Sequence, residues 1–141
     1  MSFRILVPVD DSETSRRTLE ALVSNRERFA CPVCLLHVVN LQHMAYKMIP
    51  DFQVEMVREP ARKAGAKLLE TLAAPLEQAG LAVEKRLEFG SPRRTICRIA
   101  DEEGFGLLVL GRNRTGEIRD ALFGSVSNHV LHHTHCPVLM L

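Results

Sequence analysis

Apolar and polar positions alternate along this chain in two rhythms. Five short apolar runs recur, at Phe3 to Val9, Val33 to Val39, Leu81 to Phe89, Gly106 to Leu110 and Pro137 to Leu141, and longer segments with helical spacing fill the gaps. Runs such as LLHVV and LLVL read as strands covered on both faces, whereas the mixed LAVEKRLEF reads as an edge strand. Strand and helix in turn predict a mostly parallel sheet with helices on both sides.

The helix signals are local. Asp10 to Ser12 starts the first helix, with Asp10 and Glu13 spaced as a capping box and Leu19, Leu22 and Val23 on the apolar face. The second follows a long connection, Asn40 to about Glu55. It carries Ala61, Ala64, Leu68, Leu72, Leu76 and Ala79 at helical spacing, with Pro60 near its start and Pro75 expected to kink or interrupt it. Ser91 and Pro92 supply a cap and a first-turn proline for a third helix through Ile96, Ile99 and Ala100, and Ser125 to His133 makes a fourth on Val126 and Val130. Right-handed crossovers favour the order 3-2-1-4-5 for five such strands, an open α/β sheet of Rossmann type. Strands one and four are then neighbours where the winding reverses, and a ligand crevice is expected beyond their carboxyl ends, at Val9-Asp10 and Gly111.

Composition narrows the setting. The 141 residues, 46% hydrophobic and 25% charged, suit one domain with a single core. Eighteen basic against seventeen acidic residues leave a formal charge of +1, spread rather than gathered, and there is no Trp, so neither a nucleic-acid footprint nor a base-stacking platform stands out. The apolar run at the N-terminus is too short for a signal peptide or a membrane span, and a cytoplasmic protein is expected. Cys31, Cys34, Cys97 and Cys136 are too few and scattered for a disulfide scaffold.

The chemistry concentrates in LLVLGRNRTGEIRDALFGSVS, Leu107 to Ser127. Gly111 lets the backbone turn after a strand, and Gly124 opens a helix whose free N–H groups, with the Ser125 and Ser127 hydroxyls beside them, suit a phosphate. The segments ILVPVDDSETS, LLHVV, FGSPRRTI, LLVLG and GSVSNHVLHHTHCPVLML, with the Gly111 to Gly124 spacing, resemble the universal stress protein family over essentially the whole chain. That family divides into members that bind ATP or AMP and members that do not. Its binding motif is Gly, two residues, Gly, nine residues, Gly, then Ser or Thr. Here Gly111 and Gly124-Ser125 match, Arg114 replaces the middle glycine, and Gly116 is a partial substitute.

The resemblance implies a nucleotide site at Pro8, Val9, Asp10, Val38, Gly90, Gly111, Arg112, Arg114, Gly116, Gly124, Ser125, Val126 and Ser127. In it Asp10 faces the ribose, the Val38 backbone meets the adenine edge, and Gly111, Gly124, Ser125 and Val126 line the phosphates. ATP or AMP is the expected ligand, with magnesium as an accompanying ion, and a homodimer through the C-terminal strand is the expected assembly. Arg114 admits two readings. Its guanidinium pairs with a phosphate oxygen, or its side chain occupies the phosphate path. The first makes the protein a nucleotide-binding stress-response module, non-enzymatic or at most slowly hydrolysing ATP. The second makes it a nucleotide-free, dimeric interaction protein. An adenylating enzyme is a weaker third reading, because PVDDSETS lacks a glycine-rich pyrophosphate loop.

Other features read as structural. The CPVC of Cys31 to Cys34 sits at a helix-to-strand junction rather than a helix N-terminus, where thiol pKa values fall. His129 and His133 have metal-binding spacing without a regular third ligand, and His133 is taken as a packing position, His37 as a hydrogen-bonded strand residue. Arg93 and Arg94 stand in a first helical turn against the macrodipole, a cost of a few tenths to about 1 kcal/mol. They answer an anion or are solvated surface residues, and the surface is the expectation.

Overall fold

A computed structural model describes residues 3–40, 54–112 and 122–141. Its elements run β1 (Ile5–Pro8), α1 (Glu13–Ser24), β2 (Val33–Val39), α2 (Val54–Gln78), β3 (Val83–Phe89), α3 (Pro92–Glu102), β4 (Leu107–Leu110), a π-helical turn (Leu122–Val126), α4 (Ser127–His133) and β5 (Val138–Met140). The strands form one parallel sheet in the order β3-β2-β1-β4-β5, as the sequence predicts.

Side chains that alternate along a strand divide the core between the two faces. Ile5, Val7, Leu35 and Val109 pack under α1 (Leu19, Leu22) and α2 (Leu69, Leu72, Ala73, Leu76). Leu6, Cys34, Leu36, Leu108 and Leu110 pack on the other face under α3 (Ile96, Ile99, Ala100) and α4 (Val130).

Two helix expectations need correction. α1 is capped by Ser12, whose hydroxyl accepts from the Ser15 N–H at 3.2 Å; Asp10 is turned instead to Ser15, so the Asp10–Glu13 capping box does not form. α2 runs through Pro75 as one helix, so the interruption expected there does not occur. A proline there deletes one backbone hydrogen bond, but Leu72, Ala73 and Leu76 around it are all buried, and that burial outweighs the lost bond.

The sheet edges differ in character. β3 carries Glu84, Lys85, Arg86 and Glu88, with Lys85 paired to Glu70 at 2.8 Å and Arg86 paired to Glu103. β5 offers only Val138, Leu139 and Met140, half-buried and uncharged, on the opposite edge.

One carboxylate fastens the approach to β5. Asp101 Oδ1, in the last turn of α3, accepts from Thr134 Oγ1 at 2.8 Å and from the N–H groups of His135 at 2.9 Å and Cys136 at 3.2 Å. Partial desolvation pushes its pKa up, but these donors outweigh it and hold the group below its usual value. A depressed carboxylate contributes stability above its unfolded value, and that contribution is lost as pH falls through the folded value. Asp101→Ala is therefore expected to lower the unfolding free energy by about 1 kcal/mol at neutral pH, exposure keeping the figure small. Urea titrations of both proteins should show the difference shrinking in acid.

Candidate functional site

The crevice expected at the winding reversal is present, and strand register explains it. β1 and β4 are in register only at Ile5↔Leu107 and Leu6↔Leu108. Past that point the Val9 N–H donates to the Leu36 carbonyl at 2.8 Å on the β2 side, and the Leu141 N–H donates to the Leu110 carbonyl at 2.9 Å on the β5 side. The strands part, leaving a crevice of about 380 Å³ at their carboxyl ends. Pro8, Val9 and Asp10 line it from the end of β1, and Leu36, Val38 and Asn40 line it from β2.

Asp10 is held by its own backbone and by Ser15. The Asp10 N–H donates to Ser15 Oγ at 2.9 Å, and that hydroxyl donates to Asp10 Oδ1 at 3.0 Å. Ser15 is fully buried, so the carboxylate is positioned from below while Asp10 itself is half-buried at the crevice. The Val9 carbonyl accepts from His37 Nδ1 at 2.9 Å. A carbonyl can only accept, so Nδ1 carries the proton. His37 is thus a hydrogen-bonded strand residue, steadying the last residue before Asp10.

The α3 wall holds the residues that sequence reasoning missed. Gly90 takes φ +151°, a conformation that side chains disfavour, where β3 turns toward α3. It does not line the crevice itself, but Ser91, Pro92, Arg93 and Ile96 after it do. Ser91 stands at the N-cap position without making the capping hydrogen bond, so its hydroxyl is not committed to the helix. Arg93 is exposed, as expected of a surface residue, and it also lines the crevice. The signal was in the sequence: two arginines in a first helical turn oppose the macrodipole unless an anion answers them. Leu36, Asn40 and Ile96 carried no such sign.

On the α4 side the helical run begins at Leu122 with a π turn, three residues before the predicted start. π turns occur often at functional sites. Ser125 is exposed and lines the crevice with Val126. Ser127 is 5% exposed and is not among the crevice-lining residues. Gly124 is half-buried in the π turn. Gly111 follows β4 and is buried, and Arg112 turns toward the sheet edge, its N–H donating to the Leu141 carbonyl at 2.8 Å. Neither lines the crevice among the described residues. Arg114 and Gly116 lie outside the described residues.

The lining does not fit a protein-held magnesium ion. Asp10 is the one carboxylate among the described lining residues, and one of its oxygens already accepts from Ser15. No grouping of three or more His, Cys, Asp or Glu suited to a metal occurs among the described residues. His129 and His133 stack with ring centroids 3.9 Å apart, and His133 Nδ1 donates to the His129 carbonyl at 2.7 Å. His133 is exposed, so it is not the packing position expected. Burial pushes the Cys34 thiol up to about 12, the opposite of what a redox pair needs. No helix among the described residues is long and apolar enough to cross a membrane.

Comparison with known proteins agrees with this architecture. The family model for universal stress proteins matches residues 1–141. The universal stress protein YxiE of Bacillus subtilis is 27% identical, over 98% of this chain and 97% of its own. The solved structure of MJ0577 from Methanocaldococcus jannaschii superimposes with a TM-score of 0.77 at 28% identity, covering 100% of this chain and 96% of that one. More distant folds include an Arabidopsis thaliana universal stress protein with AMP bound (TM-score 0.68, 19% identity, 99% and 90% covered). Another is the Archaeoglobus fulgidus universal stress protein in complex with dAMP (TM-score 0.64, 21% identity, 98% and 96% covered). Matched from its first residue to its last by that family's model, the chain belongs to the universal stress protein family.

Proposed function

We propose that this protein is a regulatory module that binds an adenine nucleotide, ATP or AMP, in the crevice between β1 and β4, and works by that binding rather than by turnover. The observation that carries the reading is the crevice itself, where Asp10 presents a carboxylate prepositioned by Ser15 beside Val38, Ser125 and Arg93. The carboxylate suits a ribose hydroxyl, and the serine and arginine suit phosphate oxygens. AMP and dAMP in two distant members of the same fold support adenine as the base. In this reading the backbone at Val38 meets the adenine edge, and Gly111, Gly124, Ser125 and Val126 border the phosphates with Gly90 and Arg112 nearby. Arg114 pairs with a phosphate oxygen, and Gly116 gives the loop its turn. Any magnesium would ride on the phosphates.

In this reading the protein is non-enzymatic or at most hydrolyses bound ATP slowly. The uncharged β5 edge supports a homodimer that joins these strands, and the reading places the protein in the cytoplasm. Denaturing the purified protein should release adenine nucleotide, and millimolar ATP or AMP should raise its melting temperature. Neither effect would leave the nucleotide-free interaction protein as the better account. Arg114→Gly separates that residue's two roles: weaker AMP binding marks a phosphate contact, and tighter binding marks an obstruction.

A further inference from the structure

The register of β1 with β2 ends at Pro8↔Leu36. The Val9 N–H still donates to the Leu36 carbonyl at 2.8 Å, and in a parallel ladder the next bond runs from the Val38 N–H back to the Val9 carbonyl. Among the described residues that bond does not form, and the Val9 carbonyl accepts instead from His37 Nδ1 at 2.9 Å. A side chain of β2 thus stands where the backbone of β2 would have closed the sheet.

The consequence falls on Val38. Backbone groups alternate along a strand between its two neighbours, so Val38, two residues after Leu36, turns its N–H toward β1 as Leu36 turns its carbonyl. Val38 lines the crevice, whereas His37 does not. A donor that the ladder would have used is therefore left at the crevice wall, to water or to a ligand. His37 is half-buried and closely seated. A Cβ on Gly65 of α2 would come to 3.3 Å from its Cδ2 and to 2.6 Å from Leu87 Cδ1, so the glycine gives the ring its room.

Resting on the reading above, in which the Val38 backbone meets the adenine edge, we propose that His37 determines base specificity by acting through Val38. By taking the Val9 carbonyl it leaves the Val38 N–H to donate to a ring nitrogen of the base. The base that fits presents an unprotonated ring nitrogen beside its amino group, as N1 of adenine does. A base with a ring N–H at that place, such as hypoxanthine, sets donor against donor and leaves both without a partner. His37 itself touches no part of the nucleotide and is a positioning residue.

Calorimetric titration with AMP and with 1-deaza-AMP, in which C–H replaces N1, reads this contact. The ratio of dissociation constants, 1-deaza-AMP over AMP, should be about tenfold for the wild type, the magnitude of one net hydrogen bond. His37→Leu removes the side-chain donor and returns the Val9 carbonyl to the Val38 N–H, so its ratio should fall to near one, chiefly through weaker AMP binding. His37→Asn offers an N–H as many bonds from the backbone as Nδ1 and should keep the ratio near tenfold. In hydrogen exchange, AMP should slow the Val38 amide of the wild type, and in His37→Leu that amide should be slow without ligand.

Unfolding midpoints check that the variants are folded, and the wild-type ratio and Val38 exchange need no variant. A wild-type ratio near one overturns the inference and leaves the nucleotide reading standing. The same holds if His37→Leu weakens both ligands equally and keeps the tenfold ratio, as a merely structural role would, or if His37→Asn behaves as His37→Leu. Binding of neither ligand to the wild type overturns both.

Discussion

Ile99→Ala is expected to lower the unfolding free energy by about 4 kcal/mol, and Ile96→Ala by about 2 to 3 kcal/mol, although both side chains are fully buried on the same helix. Each substitution removes methyl and methylene groups from the layer between α3 and the sheet, so each loses transfer energy. The difference lies in what fills the gap. Ile99 belongs to the same buried layer as Leu6 and Leu108 and does not itself line the crevice, so truncation leaves an apolar void. Ile96 packs in the same layer but also lines the crevice, so water reaches the space and part of the cavity term is relieved. Domains of this kind are stable by about 5 to 15 kcal/mol, so either loss is a large fraction of the total. Urea denaturation followed by circular dichroism measures both, with Leu131→Ala at a 44% exposed position as the near-neutral control. Equal losses at the two isoleucines would mean that the crevice does not admit water as far as α3.

Asp10→Ala is expected to weaken AMP binding by about thirtyfold, the magnitude of one hydrogen bond to a charged group. The carboxylate is committed on one side only. Oδ1 accepts from Ser15, which leaves the other oxygen for a ribose hydroxyl. Ser15→Ala keeps the carboxylate but removes the group that aims it, so its loss should be smaller. Asp11→Ala removes the adjacent carboxylate, which pairs with Arg16 at the surface and does not line the crevice, and should leave binding unchanged. Calorimetric titration of the three variants with AMP decides the matter. A loss at Asp11 equal to that at Asp10 would point to general charge rather than a placed contact.

Most of the architecture was legible because it depends on period and punctuation. Consecutive apolar residues in LLHVV and LLVL marked the inner strands, the charges of LAVEKRLEF marked an edge, and the loop lengths left few sheet orders open. What misled were choices between neighbouring groups of similar chemistry. Asp10, Ser12 and Glu13 all suit a helix start, and only the fold shows that Ser12 caps while Asp10 turns to Ser15. Pro75 is a helix breaker by local rules, but tertiary burial of Leu72, Ala73 and Leu76 overrides it.

The crevice was legible where backbone motifs border it, at Val9-Asp10 and Ser125-Val126. It was hidden where it depends on which helix face turns inward. Ser91 and Ile96 reach the crevice because α3 packs on the sheet face with its first turns beside the carboxyl ends of the strands, and one-dimensional spacing does not encode that orientation. Ser127 goes the other way: a hydroxyl beside a glycine motif is expected at the crevice, yet it is buried at the start of α4.

The short register between β1 and β4 has a thermodynamic consequence. β1 and β2 are aligned along Ile5 to Pro8, and β2 and β3 along all of Val33 to Val39, whereas β4 is in register with β1 only at Ile5 and Leu6, with one more bond from the Gly106 N–H to the Arg4 carbonyl at 2.9 Å. The backbone pairing of the single sheet is thus shortest between β1 and β4, and the sheet is expected to divide first along the line that holds the crevice. Such a division is a partial unfolding with its own free energy, below that of the whole molecule. A ligand touching Val9 and Val38 on one side of that line and Ser125 on the chain after β4 binds only while the two sides are joined, so its occupancy makes them open together rather than one at a time.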